Sequence, residues 1–163
     1  MNKPTRQELD KIRQHGLRPQ VVGCFLCNKK ILFLYSKEYD LWQLPQGGID
    51  NCETIDWAFE REMTEELGKT FMQKSSEDLM LVGDDKTIFP ISAQYSRELE
   101  TDEGQIILMR GKKYFFVVSQ VKSEKINIKD TEFNDYKWVS YTQGMHLINN
   151  THQKGKAKTT AKI

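Results

Sequence analysis

The stretch from Gly47 to Gly68 constrains this chain more than any other. It reads Gly47-Gly48-Ile49-Asp50-Asn51-Cys52-Glu53, then seven residues, then Arg61-Glu62-Met63-Thr64-Glu65-Glu66-Leu67-Gly68. The spacing predicts a helix from about Thr54 to Leu67, stopped by Gly68 and preceded by a tight glycine turn. At about 100° per residue, Glu62, Glu65 and Glu66 share one narrow arc. Ile55, Ala58 and Phe59 project from the same side, and Met63 and Leu67 lie just beside it. The acidic arc therefore overlaps the apolar stripe instead of opposing it, unlike the solvated face of an ordinary surface helix. Three like charges beside a core repel one another and destabilise the fold unless something neutralises them. A hard divalent cation does so, because Mg²⁺ takes oxygen ligands and shares carboxylates with substrate phosphates.

Glu53 and Arg61 read as a brace. Glu53 sits at the helix mouth, where a carboxylate suits the positive dipole end. Arg61 is spaced to bend back and pair with it bidentately. Gly47 and Gly48 leave main-chain groups open to a ligand.

These residues resemble the Nudix box, G-x5-E-x7-R-E-U-x-E-E-x-G-U, with U an apolar residue. Every fixed letter is present, and the last apolar position is Lys69. The resemblance implies an α/β/α sandwich around a mixed β-sheet and hydrolysis of a nucleoside diphosphate linked to another group. It implies Mg²⁺ or Mn²⁺, two or three ions with substrate, and Glu62, Glu65 and Glu66 as the residues that hold metal and activate water. Gly16–Gly23, Trp42–Ile49 and Glu132–Tyr141 are similar to one branch, the bacterial RNA 5′-pyrophosphohydrolases and the asymmetric diadenosine tetraphosphate hydrolases. The branch implies Glu132 as a fourth metal ligand from a loop. Residues 70–110 match poorly, and Cys52 stands where the pattern often has glycine. Tyr35, Ser36 and Lys37 stand where a pair of arginines is common.

Substrate-binding candidates are Arg18, Lys37 and Lys113 for distal phosphates, Gln46, Gly47 and Gly48 at the turn, and Trp42 and Tyr141 for stacking on a base. Three functions compete. A dinucleoside polyphosphate hydrolase is preferred over an RNA 5′-triphosphate pyrophosphohydrolase, because the net charge is only +1 and the strand arginines are missing, whereas nucleic-acid binders are strongly basic. The third is a catalytically silent nucleotide-binding regulator, which the intact set of box glutamates disfavours.

The 163 residues suit one domain, 1–163, with a helical extension over about 1–15 and a frayed Lys- and Thr-rich tail over about 151–163. No apolar run approaches membrane length, and the first twenty residues carry Lys, Arg, Glu and Asp, so a cytoplasmic protein is expected. Cys24 and Cys27 form a C-x-x-C within one strand, where residues three apart face opposite sides, so a shared metal or redox pair is not expected. Thr5 and Glu8 predict a capping box, and Gly16 the end of that helix. Strands are expected at about 20–27, 30–36 and 135–140, with a short helix at 142–149. Residues 78–98 read as one or two irregular strands broken by Gly83-Asp84-Asp85 and Pro90. Gln105–Arg110 and Lys112–Val121 read as a hairpin about Gly111.

Overall fold

A computed structural model describes residues 1–94 and 97–150. The elements in order are α1 (Arg6–Gln14), β1 (Leu17–Cys27), β2 (Lys30–Ser36), β3 (Leu41–Gln43), β4 (Gln46–Gly48), α2 (Ile55–Leu67) and α3 (Lys69–Met72). They continue with β5 (Met80–Ile88), β6 (Glu98–Glu100), β7 (Ile106–Leu108), β8 (Gly111–Gln120), β9 (Asp135–Val139) and α4 (Tyr141–Asn149). Short 3₁₀ turns lie at Ile91–Ala93 and Ile128–Asp130.

β1 is the spine. From Pro19 to Phe25 it is buried without interruption, the pattern of a strand covered on both faces. It runs parallel to β8 over ten paired positions, and antiparallel to β2 at one end and β4 at the other. The sheet follows the path β3-β2-β1-β8-β5, with β4 added to β1 and β9 to β2. It is therefore mixed, as expected.

Alternation along β1 sorts the core into two layers. Val21 and Phe25 face α1, α2 and α3, packing with Leu9, Ile55, Phe59, Met63 and Phe71. Val22 and Cys24 face the other way, with Phe33, Leu44, Tyr114, Phe116 and Ile148 of α4. The sheet is thus sandwiched between helices. Cys27 belongs to the first layer and Cys24 to the second, so the C-x-x-C does not converge. Burial pushes the Cys24 thiol up to about 12.

Local signals act as read at several ends. Thr5 and Glu8 form the capping box of α1. Thr54 caps α2 by accepting from the Trp57 amide at 3.3 Å, and Gly68 ends it at φ +84°.

Two expectations fail. Gly83-Asp84-Asp85 does not break a strand: β5 runs through it and absorbs only a bulge between Leu81 and Gly83. Residues 105–121 are not a hairpin. β7 pairs with β6 in a separate two-stranded arm, and β8 pairs with β1 and β5. Gly111 does not turn the chain back; it lies where a Cβ would overlap the Thr87 carbonyl, under the crossing of β8 and β5. Non-local pairing, invisible to local periodicity, decides both. α3 was not anticipated, and the expected tail at 151–163 lies outside the described residues. Among the described residues no helix is long and apolar enough to cross a membrane.

Candidate active site

β4 is short because it is nearly all glycine, and it separates two groups of side chains. Its residues pair with β1 at Gln20↔Gly48, Val21↔Gly47 and Val22↔Gln46. Gly47 therefore faces the α2 layer and Gly48 the opposite one. A Cβ at Gly47 would overlap the Glu62 carboxylate, and one at Gly48 would overlap the Arg18 guanidinium. Only glycine at both positions lets a carboxylate press on one side and a guanidinium on the other.

On the α2 side, Glu66 Oε2 accepts from the Gln46 amide at 2.9 Å. Glu62 lies under Gly47 with its side chain 16% exposed, and Glu65 beside it is 58% exposed. The Glu132 amide donates to the Glu66 carbonyl at 3.3 Å, which brings that loop against the last turns of α2.

Arg61 organises this edge. Its Nε and Nη2 donate to the two Glu53 oxygens, both at 2.8 Å. Nη1 donates to Glu62 Oε1 at 2.8 Å and Nη2 to the Gly48 carbonyl at 3.0 Å. Asp50 Oδ2 stands at 3.3 Å and Glu65 Oε2 at 3.8 Å. Glu53 also accepts from the Asp50 amide at 2.9 Å. The hydrogen bonds that Arg61 donates hold the Glu53 carboxyl below its usual range, and the acceptance of those bonds by Glu53 and Glu62 raises the guanidinium further. Arg61 thus reaches beyond the Glu53 brace read from the sequence and supplies countercharge to the acidic arc.

On the other side, Arg18 is exposed, and among the described residues no carboxylate pairs with it. Lys112 is its register partner on β8. Trp42 lies on the same face, between the tilted ring of Tyr35 at 5.3 Å and the Lys137 ammonium at 4.4 Å. Lys37 follows β2, its amide donating to Asn134 Oδ1 at 2.8 Å. Tyr141, 77% exposed at the start of α4, borders an apolar cavity of about 330 Å³ with Cys24, Leu44 and Val118.

Lys113 does not join this group. It shares the α2 face with Phe115, whose ring lies 5.9 Å from its ammonium, and it pairs with Asp84. A one-residue step along β8 reverses the face, so the basic run at 110–113 contributes Lys112 instead. Gln20 was not singled out from the sequence. It sits two residues beyond Arg18 on the same face, 5% exposed, with Oε1 buried and unpartnered among the described residues. Its alternation with Arg18 is the signal that marks it. Arg13, buried at 1%, was also missed, because a basic residue in a last helical turn reads as a dipole partner.

Carboxylate oxygens alone make up the donor set of Glu62, Glu65, Glu66 and Glu132, which fits a hard divalent cation. Among the described residues no three such groups yet converge at ligating distance.

The chain belongs to the Nudix family: the family model described as NUDIX domain matches residues 17–162. It is a Nudix hydrolase, of the class that cuts pyrophosphate bonds. Among curated proteins it is 30% identical over 135 residues to the RNA pyrophosphohydrolase of Pseudoalteromonas translucida, covering 80% of this chain and 74% of that one. It is 33% identical over 132 residues to the RNA pyrophosphohydrolase of Actinobacillus pleuropneumoniae serotype 5b, covering 77% of this chain and spanning 61% of that relative's length. Among solved structures the fold is similar to the E. coli dihydroneopterin triphosphate pyrophosphohydrolase, with TM-score 0.61 at 15% identity, covering 90% and 96% of the two chains. A C. elegans Ap4A hydrolase complex gives TM-score 0.52 at 12% identity, covering 90% and 96%.

Proposed function

We propose that this chain hydrolyses a phosphoanhydride bond in the 5′-triphosphate of RNA, with Mg²⁺ or Mn²⁺. The observation that carries the polyphosphate reading is the two-sided β4 edge. Carboxylates lie under Gly47, a guanidinium with no carboxylate partner among the described residues lies over Gly48, and the two glycines between them have no side chain to keep a phosphate chain away. The named activity of the relatives at 30–33% identity moves RNA ahead of dinucleoside polyphosphates, reversing the preference drawn from net charge.

Glu62, Glu65, Glu66 and Glu132 would hold the metal, which supplies neutralisation of phosphate charge and lowers the pKa of attacking water. Arg61 fixes the Glu62 carboxylate by its 2.8 Å bond, and the Gln46 amide fixes Glu66. Glu65, exposed where Glu62 and Glu66 are half-buried, takes the proton of the water. The water oxygen bonds to one phosphorus of the α–β anhydride, the P–O bond opposite breaks with its electron pair going to the leaving oxygen, and the products are the RNA 5′-monophosphate and pyrophosphate. Arg18 holds non-bridging oxygens beyond the reacting phosphorus.

Diadenosine tetraphosphate is the second reading, favoured by the near-neutral net charge. The test is turnover of both substrates at equal concentration, with ¹⁸O water and product masses. The RNA reading expects monophosphorylated RNA at a kcat/KM at least about tenfold above that for the tetraphosphate. The reverse order overturns it in favour of the second reading. Absence of divalent-dependent hydrolysis across both would support a silent nucleotide-binding regulator.

A further inference from the structure

Two guanidiniums grip three successive carbonyls in front of the catalytic helix. Arg61 takes Gly48, as described above. Arg13, in the last turn of α1, takes the next two: its Nη2 donates to the Ile49 carbonyl at 3.0 Å and the Asp50 carbonyl at 2.7 Å. Its other amino group donates to Asp102 Oδ1 at 3.1 Å. Asp102 lies in the turn that joins β6 to β7. The same carboxylate oxygen accepts from the Cys52 amide at 3.2 Å, and the Asp102 amide donates to Asp10 Oδ1 on α1 at 2.7 Å. Asn51 Nδ2 donates to the Thr101 carbonyl at 2.9 Å.

Residues 49–52 are thus held at every position by α1 or by the β6–β7 arm. The next residue is Glu53, which Arg61 clasps while it holds Glu62. A chain of contacts therefore runs from Asp10 and Asp102 through Arg13, along the loop, to the carboxylate edge. Burying a guanidinium is costly, and an apolar side chain of similar volume would fill the same space as well or better. What an apolar side chain does not do is fix the direction of two backbone carbonyls.

We propose that Arg13 is a positioning residue of the hydrolytic site, setting with Asp102 the path of residues 49–53 and through them the placement of Gly47, Gly48 and Glu62. This rests on the reading of that edge as the place of hydrolysis.

Three variants, compared with wild type, and two readouts test it: Arg13→Ala, Arg13→Lys and Asp102→Asn, by steady-state kinetics and by amide hydrogen exchange. Arg13→Ala is expected to lower kcat at least about 30-fold with KM changed less than about threefold, the mark of lost positioning rather than lost substrate binding. Low-millimolar guanidinium should restore at least about fivefold, and equal sodium chloride nothing, since only a planar donor fork replaces the missing one. Arg13→Lys should remain low for the same reason. Exchange should quicken at residues 49–53 while β1 and β8 amides stay protected. Asp102→Asn, which keeps Arg13 in place, should show a smaller kcat loss and faster exchange at Cys52.

Wild-type kcat in Arg13→Lys would overturn the proposal. So would a folded Arg13→Ala that guanidinium does not rescue, or exchange that quickens equally across the whole sheet. If Arg13→Ala does not fold, Arg13→Lys and Asp102→Asn decide by the same measures. If wild type hydrolyses nothing, the functional reading fails, and exchange at residues 49–53 still decides whether Arg13 sets the loop.

Discussion

The two sides of β4 were built in different ways. Beneath Gly47, Arg61 and every carboxylate except Glu132 come from one helix and the loop before it, within twenty residues of chain. Above Gly48, Arg18 comes from β1, Lys112 from β8, Trp42 from β3 and Lys137 from β9. The lower side is a local motif, so a helical wheel and a spacing locate it. The upper side is a face of a sheet, so membership depends on register. Lys113 shows the cost of a single step: it is one residue from Lys112 and lies on the opposite face, paired with Asp84.

The largest expected effect breaks the lower side. Glu66→Gln should lower kcat at least about 10²-fold with the fold intact, because it removes charge where transition-state charge develops. Glu60→Gln, on another face of the same helix, should be nearly silent. Turnover near normal for Glu66→Gln at saturating Mg²⁺ would remove the carboxylate edge from the mechanism.

The next effect sharpens the contrast between faces. Arg18→Ala should cost roughly 1.5–3 kcal/mol in kcat/KM on a triphosphate or tetraphosphate chain, and clearly less on a diphosphate-linked substrate. Lys113→Ala should change the same quantity less than about twofold. Equal losses for the two variants would mean that the sheet does not sort them.

Arg61 tests how far the lower side is structural. Arg61→Ala strands the half-buried Glu53 and should cost about 1–3 kcal/mol of stability, together with activity. Because the folded Glu53 pKa lies below its ordinary 4.5, the stability from this pair is fully present above about pH 4.5. It fades as pH falls through the lowered folded value. Acid unfolding followed by circular dichroism should therefore lose this limb in Glu53→Gln. An unchanged acid limb would assign the brace no energetic role.

The smallest effect lies in the loop between the two sides. Cys52 holds φ +61°, a left-handed conformation that costs an L-residue about 1 kcal/mol. Cys52→Gly relieves that strain and loses chain entropy in return. Tm should rise by a degree or two, equivalent to less than about 1 kcal/mol. A clear fall would show that the thiol packs usefully.

Much of the fold was legible. The capping box at Thr5 and Glu8, the helix start at about Thr54 and the stop at Gly68 are short-range signals with a local physical cause, and they lie where read. The continuous strand through Gly83-Asp84-Asp85 and the arm of β6 and β7 were not legible. A glycine–aspartate cluster reads as a turn unless a neighbouring strand pairs with it, and β8 does. An apolar run before Gly111 reads as one arm of a hairpin unless its partner lies elsewhere, as Glu98–Glu100 does.

The sequence by itself determined the acidic arc, its brace and the glycines in front of it, because helix periodicity and turn chemistry act over a few residues. Tertiary structure alone decided that Gly47 and Gly48 face opposite ways, that Arg18 and not Lys113 stands across from the carboxylates, and that Arg13 is buried against residues 49–50. Those facts follow from which strands pair and in what register. Register is set by burial of two whole layers at once, a condition that no local stretch of the chain expresses.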